Sequence, residues 1–236
     1  MDARLRREAL RYAGMGRAAD DDIDPRIDVF LEKAFSQLER MCRPRFNSKI
    51  FSVKAIPEIE NGLRFGGVLD VTSRSLTVNL RDCNEVVFFA ATLGAEADRL
   101  ISQYTRRDIS QGALMEAAAT AFIEDYCDRC QAELEAELNK ENKTLRPRFS
   151  PGYGDFDIQH QKDFVRLMDL PRTIGVTLTD GGMLTPTKSV TAVMGIAHLA
   201  EGGADGASGP KAQKHRCHVH GCEACTKTDC IYRRNV

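Results

Sequence analysis

At 236 residues the chain is long enough for one sizeable core, or for a core with a small appendage. Hydrophobic residues make up 42% and charged residues 28%, and 33 Lys and Arg against 34 Asp and Glu leave a net charge of −1. That balance excludes a protein-wide field for nucleic acid or a membrane surface, though not a local patch.

No run approaches the length that spans a bilayer, and the charged start MDARLRREALRY lacks the apolar centre of a signal peptide. The expected setting is a reducing cytoplasm, where clustered cysteines point to metal or redox chemistry more often than to disulfides. The first residues predict a short helix halting near Gly14, followed by the acidic loop AADDDIDP. Asp24 then Pro25 is a strong helix start, a capping side chain followed by proline in the first turn. Behind it Ile27, Phe30, Leu31, Ala34, Phe35, Leu38 and Met41 recur at helical spacing as one buried stripe. KIFSVKAI and LRFGGVL, between residues 49 and 69, read as strands broken by turns, and SLTVNL fits either a strand or a short helix after Thr72.

EVVFFAATLG predicts a buried strand over 86–91, then a helix from Ala95 to about Tyr104. The longest helical signal runs over 108–138 without an internal proline, and its ALMEAAATAF stretch carries small residues suited to close packing. DIQHQKDFVRLMDL predicts a helix stopped by Pro171, and TIGVTLTD with SVTAVMGI predicts two strands joined by a turn around Pro186. The outline is a single α+β domain over 1–199, with N-terminal helices over 1–45 and a twisted antiparallel sheet flanked by helices. A Gly, Ala and Ser-rich linker follows over 200–214, and a cysteine-rich tail over 215–236.

The tail spaces Cys217, Cys222, Cys225 and Cys230 as C-x4-C-x2-C-x4-C, with His215, His218 and His220 close by. Four thiols in so short a segment can surround one metal, and both zinc and an iron–sulfur cluster fit the set. The alternative is a tail with incidental thiols. Lys and Arg outnumber Asp and Glu from Lys211 onward, a patch suited to an acidic partner. Cys127 and Cys130 also form a C-x-x-C, but inside the long helix, where they read as core residues; Cys42 and Cys83 read as structural.

The stretch RFSPGYGDFD, residues 148–157, packs one cation, two glycines and three aromatics around a proline. Arg148 offers a planar fork matched to a carboxylate. Gly152 lets backbone approach a flat ring closely, Tyr153 adds an aromatic surface, and Pro147 and Pro151 stiffen the path. The set suits a small ligand with a carboxylate at one end and a planar heterocycle at the other. The bland alternative is a stiff turn whose arginine is a surface charge.

The span from RFSPGYGDFDIQHQ to TPTKSVTAVMGI resembles the activation (reactivation) domain of cobalamin-dependent methionine synthase, and more closely the free-standing bacterial proteins built on that domain. The family's Arg-x-x-x-Gly-Tyr signature is matched by Arg148, Gly152 and Tyr153, and its later Pro and Ser-Val pair by Pro186 and Ser189-Val190. The resemblance covers residues 85–197 well. It implies that S-adenosylmethionine binds with its carboxylate on Arg148 and its adenine against the backbone of Ser150 and Gly152. Tyr153 would then lie near the approaching corrin. It further implies roles for Ser189 and for a helix glutamate, best matched by Glu124, whose alternative is a solvated helix face.

The implied function is a reactivation factor acting in trans on a corrinoid-dependent methionine synthase, supporting reductive remethylation of cob(II)alamin. Cobalamin would be carried by the partner, and a flavodoxin-like protein would donate the electron. The chain would then be a component of a methyltransferase activity rather than a complete enzyme. Three departures stand out: Gly154 replaces the family's usual proline, the downstream aromatic pair has no counterpart, and the N-terminal aspartate has no match. The rival reading is a metal- or iron–sulfur-binding electron-transfer or docking protein that kept the fold, and the blandest is a relative with a degenerate pocket.

Overall fold

The computed structural model describes residues 2–16 and 22–198. Eight strands and seven α-helices are found among them, in the order α1 (Ala3–Tyr12), α2 (Pro25–Met41), β1 (Arg45–Ala55), β2 (Gly62–Phe65), β3 (Leu69–Thr72), α3 (Arg74–Asn79) and β4 (Glu85–Thr92). There follow α4 (Ala95–Arg107), α5 (Ile109–Asn139), β5 (Lys143–Leu145), a 3-10 turn (Ile158–His160), α6 (Gln161–Leu167), α7 (Leu170–Thr173), β6 (Thr177–Leu178), β7 (Leu184–Thr185) and β8 (Ser189–His198). Six strands form one antiparallel sheet in the order β3-β2-β1-β4-β8-β5, and β6 pairs with β7 in a separate hairpin. The α+β class and the helix-flanked antiparallel sheet are as the pattern predicts.

β4 is buried almost throughout, and its side chains alternate between two cores. Val87, Phe89 and Ala91 face a core shared with α1, α2, α4 and α5. Val86, Phe88 and Ala90 face a second core built from β2, β3, α3, α6, α7 and the loop carrying Phe149 and Phe156. β8, paired with β4 from Glu85↔Ile196 to Thr92↔Ser189, divides in the same way: Met194 and Ile196 go to the first core and Val193 to the second. A strand covered on both faces reads as a continuous apolar run, which is why EVVFFAAT shows no polar alternation.

The helices follow their capping chemistry. Asp24 accepts from the Arg26 N–H at 2.9 Å with Pro25 in the first turn of α2, and Asp108 accepts from the Ser110 N–H at 2.8 Å to open α5. α5 runs 31 residues, and Ala117, Ala118, Ala119 and Ala121 are buried along it. At Gly112 a Cβ would come within 2.7 Å of the Thr105 Cα, so only glycine lets α4 and α5 approach so closely there.

Four expectations are settled or corrected. SLTVNL falls in helix α3, because Ser73 accepts from the Leu76 N–H at 3.1 Å and caps it. Pro171 opens α7 rather than ending a helix. The break comes earlier, at Asp169, whose left-handed backbone (φ 50°) separates α6 from α7. The two strands expected around Pro186 do not pair with each other; β6 makes a short hairpin with β7, and β8 enters the main sheet between β4 and β5. Met41 is 40% exposed, at the end of α2 where the stripe has rotated off the core.

Phe88 sits at the centre of the second core, stacked on Phe164 at 4.5 Å between ring centroids and close to Phe51 and Phe65. Phe88→Ala is expected to cost about 3–5 kcal/mol, read from the midpoint of urea unfolding at unchanged slope.

Candidate functional site

The loop 148–157 is built tightly. Phe149 exchanges two backbone bonds with Val193 of β8, both 2.9 Å. Phe149 and Phe156 are each 2% exposed and stack at 6.3 Å, so the loop is anchored at both ends by aromatic burial. Between them Tyr153 N–H donates to the Ser150 C=O at 3.0 Å and Gly152 N–H to the Phe156 C=O at 2.7 Å. Gly152 (φ 95°) and Gly154 (φ 54°) take backbone conformations that strain any side chain. A Cβ at Gly152 would come within 3.0 Å of Ile158 Cδ1, and one at Gly154 within 2.7 Å of Ser75 Oγ.

Asp155 fastens the loop to α3. Its carboxylate accepts from Ser73 Oγ at 2.7 Å, Arg74 N–H at 2.7 Å and Ser75 N–H at 3.0 Å. These bonds favour the charged form and hold the Asp155 pKa well below the usual carboxylate range. Gly154 in place of proline is thereby accounted for: a proline cannot take a positive φ, and this turn must pass close over Ser75.

Arg148 lies on the other side of the loop, with its side chain 17% exposed against α5. Its Nη2 donates to Asp128 Oδ1 at 2.7 Å and to Glu124 Oε2 at 3.3 Å, and its Nη1 to Gln131 Oε1 at 2.8 Å. Burial works against its charge, yet the Asp128 hydrogen bond and the neighbouring anionic groups outweigh it and raise the pKa. Of the six residues picked out from the sequence, Arg148 and Glu124 are in contact, and Ser150, Gly152 and Tyr153 share one turn. Tyr153 is 56% exposed, its ring edge-on to Phe149 at 6.0 Å.

Ser189 stands at the start of β8, its hydroxyl engaged with Thr92 Oγ1 at 2.8 Å and the Pro186 C=O at 2.6 Å. Its neighbours are clamped as well. Thr187 N–H donates to the Asp98 carboxylate of α4 at 3.0 Å, and Lys188, nearly buried, pairs with Glu116 and Thr120 of α5.

Asp128, Gln131, Asp155 and Lys188 were not picked out from the sequence. For two of them a signal existed, since Asp128 and Gln131 follow Glu124 by four and seven residues and so continue one helix face. Two cavities adjoin these elements. One of about 450 Å3 is lined by Ile158, which packs against Gly152, with Gln161, Lys162 and the β6–β7 hairpin. The other, about 140 Å3, lies between α1 and α5 beside Glu124 and Asp128.

The Cys127 and Cys130 thiols are buried in the first core, and burial raises both pKa values. Cys42 and Cys83 are buried too, and Cys42 is pushed up to about 11, chiefly by burial. Among the described residues no three His, Cys, Asp or Glu side chains are placed to hold a metal ion, and no helix is long and apolar enough to cross a membrane. Cys217, Cys222, Cys225 and Cys230, and the linker over 200–214, lie outside the described residues.

No protein-family model and no curated protein matches the chain. Among solved structures it is similar to the MetH reactivation domain bound to AdoHcy, with a TM-score of 0.56 and 16% identity, over 75% of this chain and 66% of that one. The chain has the fold of the MetH reactivation domain. It spans just under two thirds of that chain's length. Within the reactivation-domain fold, the loop 148–157 is held from both sides, by β8 and α3, with Arg148 turned to α5 and Tyr153 to solvent.

Two outcomes follow for the loop. Gly154→Ala is expected to lower stability by about 1–3 kcal/mol, through strain at positive φ and collision with Ser75, measured by urea unfolding. Because the folded-state pKa of Asp155 is depressed, its stabilisation is present above the ordinary aspartate value of about 3.9 and lost as pH falls through the folded-state value. Asp155→Asn should therefore flatten the acid limb of a melting-temperature profile while lowering the melting temperature at neutral pH.

Proposed function

We propose that the chain is an S-adenosylmethionine-binding reactivation factor that acts in trans on a corrinoid-dependent methionine synthase. One observation carries the reading: a rigid loop bearing Arg148, Gly152 and Tyr153, set against an acid-bearing helix, in the reactivation-domain fold. The residues fit the ligand's chemistry. Arg148 offers a planar fork to its carboxylate. Glu124 lies where an acid attracts an ammonium and a sulfonium, and at 32% exposure it is open enough to reach them. Gly152 lets the nucleoside lie against main chain, and Tyr153 stands exposed beside it for the approaching partner.

In this reading the protein contributes position and electrostatics. The partner's cobalamin would supply the metal-centred chemistry, with one electron from a flavodoxin-like donor and the methyl group from S-adenosylmethionine, which leaves as S-adenosylhomocysteine. Arg148 would fix the amino-acid end and the stiff turn 150–154 the nucleoside, with Tyr153 exposed on the same turn. No protein acid, base or nucleophile is needed. Ser189 serves this arrangement by holding the 186–189 segment on Thr92.

The rest of the proposal concerns the tail: residues 200–214 tether Cys217, Cys222, Cys225 and Cys230, which hold zinc or an iron–sulfur cluster at a basic docking segment in the cytoplasm. An anaerobic absorption spectrum with metal analysis separates the two. The function itself is tested by calorimetry with S-adenosylmethionine, for the protein alone and mixed with a corrinoid protein. Binding in either setting, weakened at least tenfold by Arg148→Ala, is the expected result. Absence of binding in both overturns the proposal.

A further inference from the structure

Arg148 already holds carboxylates. A guanidinium grips an incoming carboxylate with two parallel bonds either across its two terminal nitrogens or across Nε and Nη2. Both grips draw on Nη2, whose two hydrogens point here to Asp128 and Glu124. A ligand carboxylate can seat on the fork only after one of these acids has left it. Asp128 makes the shorter bond, 2.7 Å against 3.3 Å, and is the more exposed of the two.

Asp128 also has a second partner within reach. Its Oδ2 accepts from Nη1 of Arg4, on α1, at 3.3 Å. Arg4 pairs with Asp125 as well, and Asp125 has its own further cation, Arg129 Nε at 3.1 Å. Arg4 can therefore turn towards Asp128 without leaving Asp125 unpaired. The cavity of about 140 Å3 between α1 and α5 is lined by Arg4, Leu5, Glu8, Glu124, Asp125 and Asp128. That exceeds the ~30 Å3 share of a single water, so the carboxylate has room to swing.

We propose that Asp128 is an internal carboxylate occupying the fork of Arg148 in the free protein, and that Arg4 of α1 receives it when a ligand carboxylate takes its place. The proposal rests on the reading of Arg148 as the ligand's anchor. Arg4 is then a positioning residue that never touches the ligand. Ligand binding and the docking of α1 on α5 become linked, each strengthening the other by the same factor.

Calorimetry compares S-adenosylmethionine with decarboxylated S-adenosylmethionine, which keeps the ammonium and sulfonium but lacks the carboxylate. Asp128→Asn is expected to bind S-adenosylmethionine roughly three- to tenfold more tightly than the unaltered protein, and the decarboxylated compound no more tightly. Arg4→Gln, a change at an exposed side chain, is expected to weaken S-adenosylmethionine about two- to fivefold with the unfolding midpoint unchanged. Hydrogen exchange of the α1 amides should slow when S-adenosylmethionine is bound. Equal or weaker binding by Asp128→Asn overturns this proposal and leaves the assigned function standing. No binding by the unaltered protein or either variant, alone and mixed with a corrinoid protein, overturns both. If Asp128→Asn fails to fold, Arg4→Gln decides: weaker binding supports the proposal and unchanged binding overturns it.

Discussion

The antiparallel ladder between β4 and β8 is the constraint on which the rest depends. Eight consecutive residue pairs, from Glu85↔Ile196 to Thr92↔Ser189, place two apolar strands side by side with both faces covered. Once both faces are apolar, each must be roofed, and the chain supplies two different roofs. Four helices, α1, α2, α4 and α5, close one face, while short elements and the loop bearing Phe149 and Phe156 close the other. The candidate site lies where the roofs meet. Arg148 reaches the helical layer, and its immediate neighbour Phe149 is buried in the opposite core. Successive residues of extended chain point to opposite faces, so this split follows from the Phe149–Val193 bridge.

Electrostatics at Arg148 follow from the same placement. A guanidinium drawn mostly out of water loses hydration and needs partners at short range. α5 provides them on one face, with Glu124, Asp128 and Gln131 at helical spacing. Structural need and ligand recognition thus call for the same groups. An arginine that must be neutralised in the free protein is best neutralised by carboxylates, and carboxylates are what its ligand would present. The bland reading of this loop and the functional one differ only in whether those acids can be exchanged.

Elements with a strong local cause were legible in the sequence. Asp24-Pro25 announces α2, the proline-free alanine-rich run announces α5, and the apolar run of β4 announces a strand covered on both faces. The turn 150–154 was legible through its glycines and proline, and the resemblance over 85–197 singled out Arg148 and Glu124, which the fold brings into contact. Tertiary causes were not legible. SLTVNL is helical because Ser73 and Asp155, 82 residues apart, assemble its N-terminus. Gly154 departs from the motif for a reason that lies 79 residues away in sequence, Ser75 beneath it. Lys188 carried no local sign of burial, because its partners Glu116 and Thr120 come from a helix some 70 residues earlier.

Those last contacts disclose the organising role of α5. Glu116, Thr120, Glu124 and Asp128 recur every four residues and form one inclined polar ridge beside the residues that α5 buries between Gly112 and Cys130. The N-terminal half of the ridge holds Lys188, at the entry to β8. The C-terminal half holds Arg148, at the exit from β5, and two turns beyond Asp128 Glu135 accepts from Thr144 Oγ1 at 2.6 Å. From Glu116 to Asp128 is twelve residues, about 18 Å along the axis. A single rigid helix therefore fixes the spacing of the two segments, 148–154 and 186–189, that carry the motif. A loop site built this way keeps its geometry without a large enclosed pocket, because the ruler lies beneath it. α1 packs on the same helix and shares Asp128 with Arg148, so one carboxylate of the ruler joins α1 to the loop's cation.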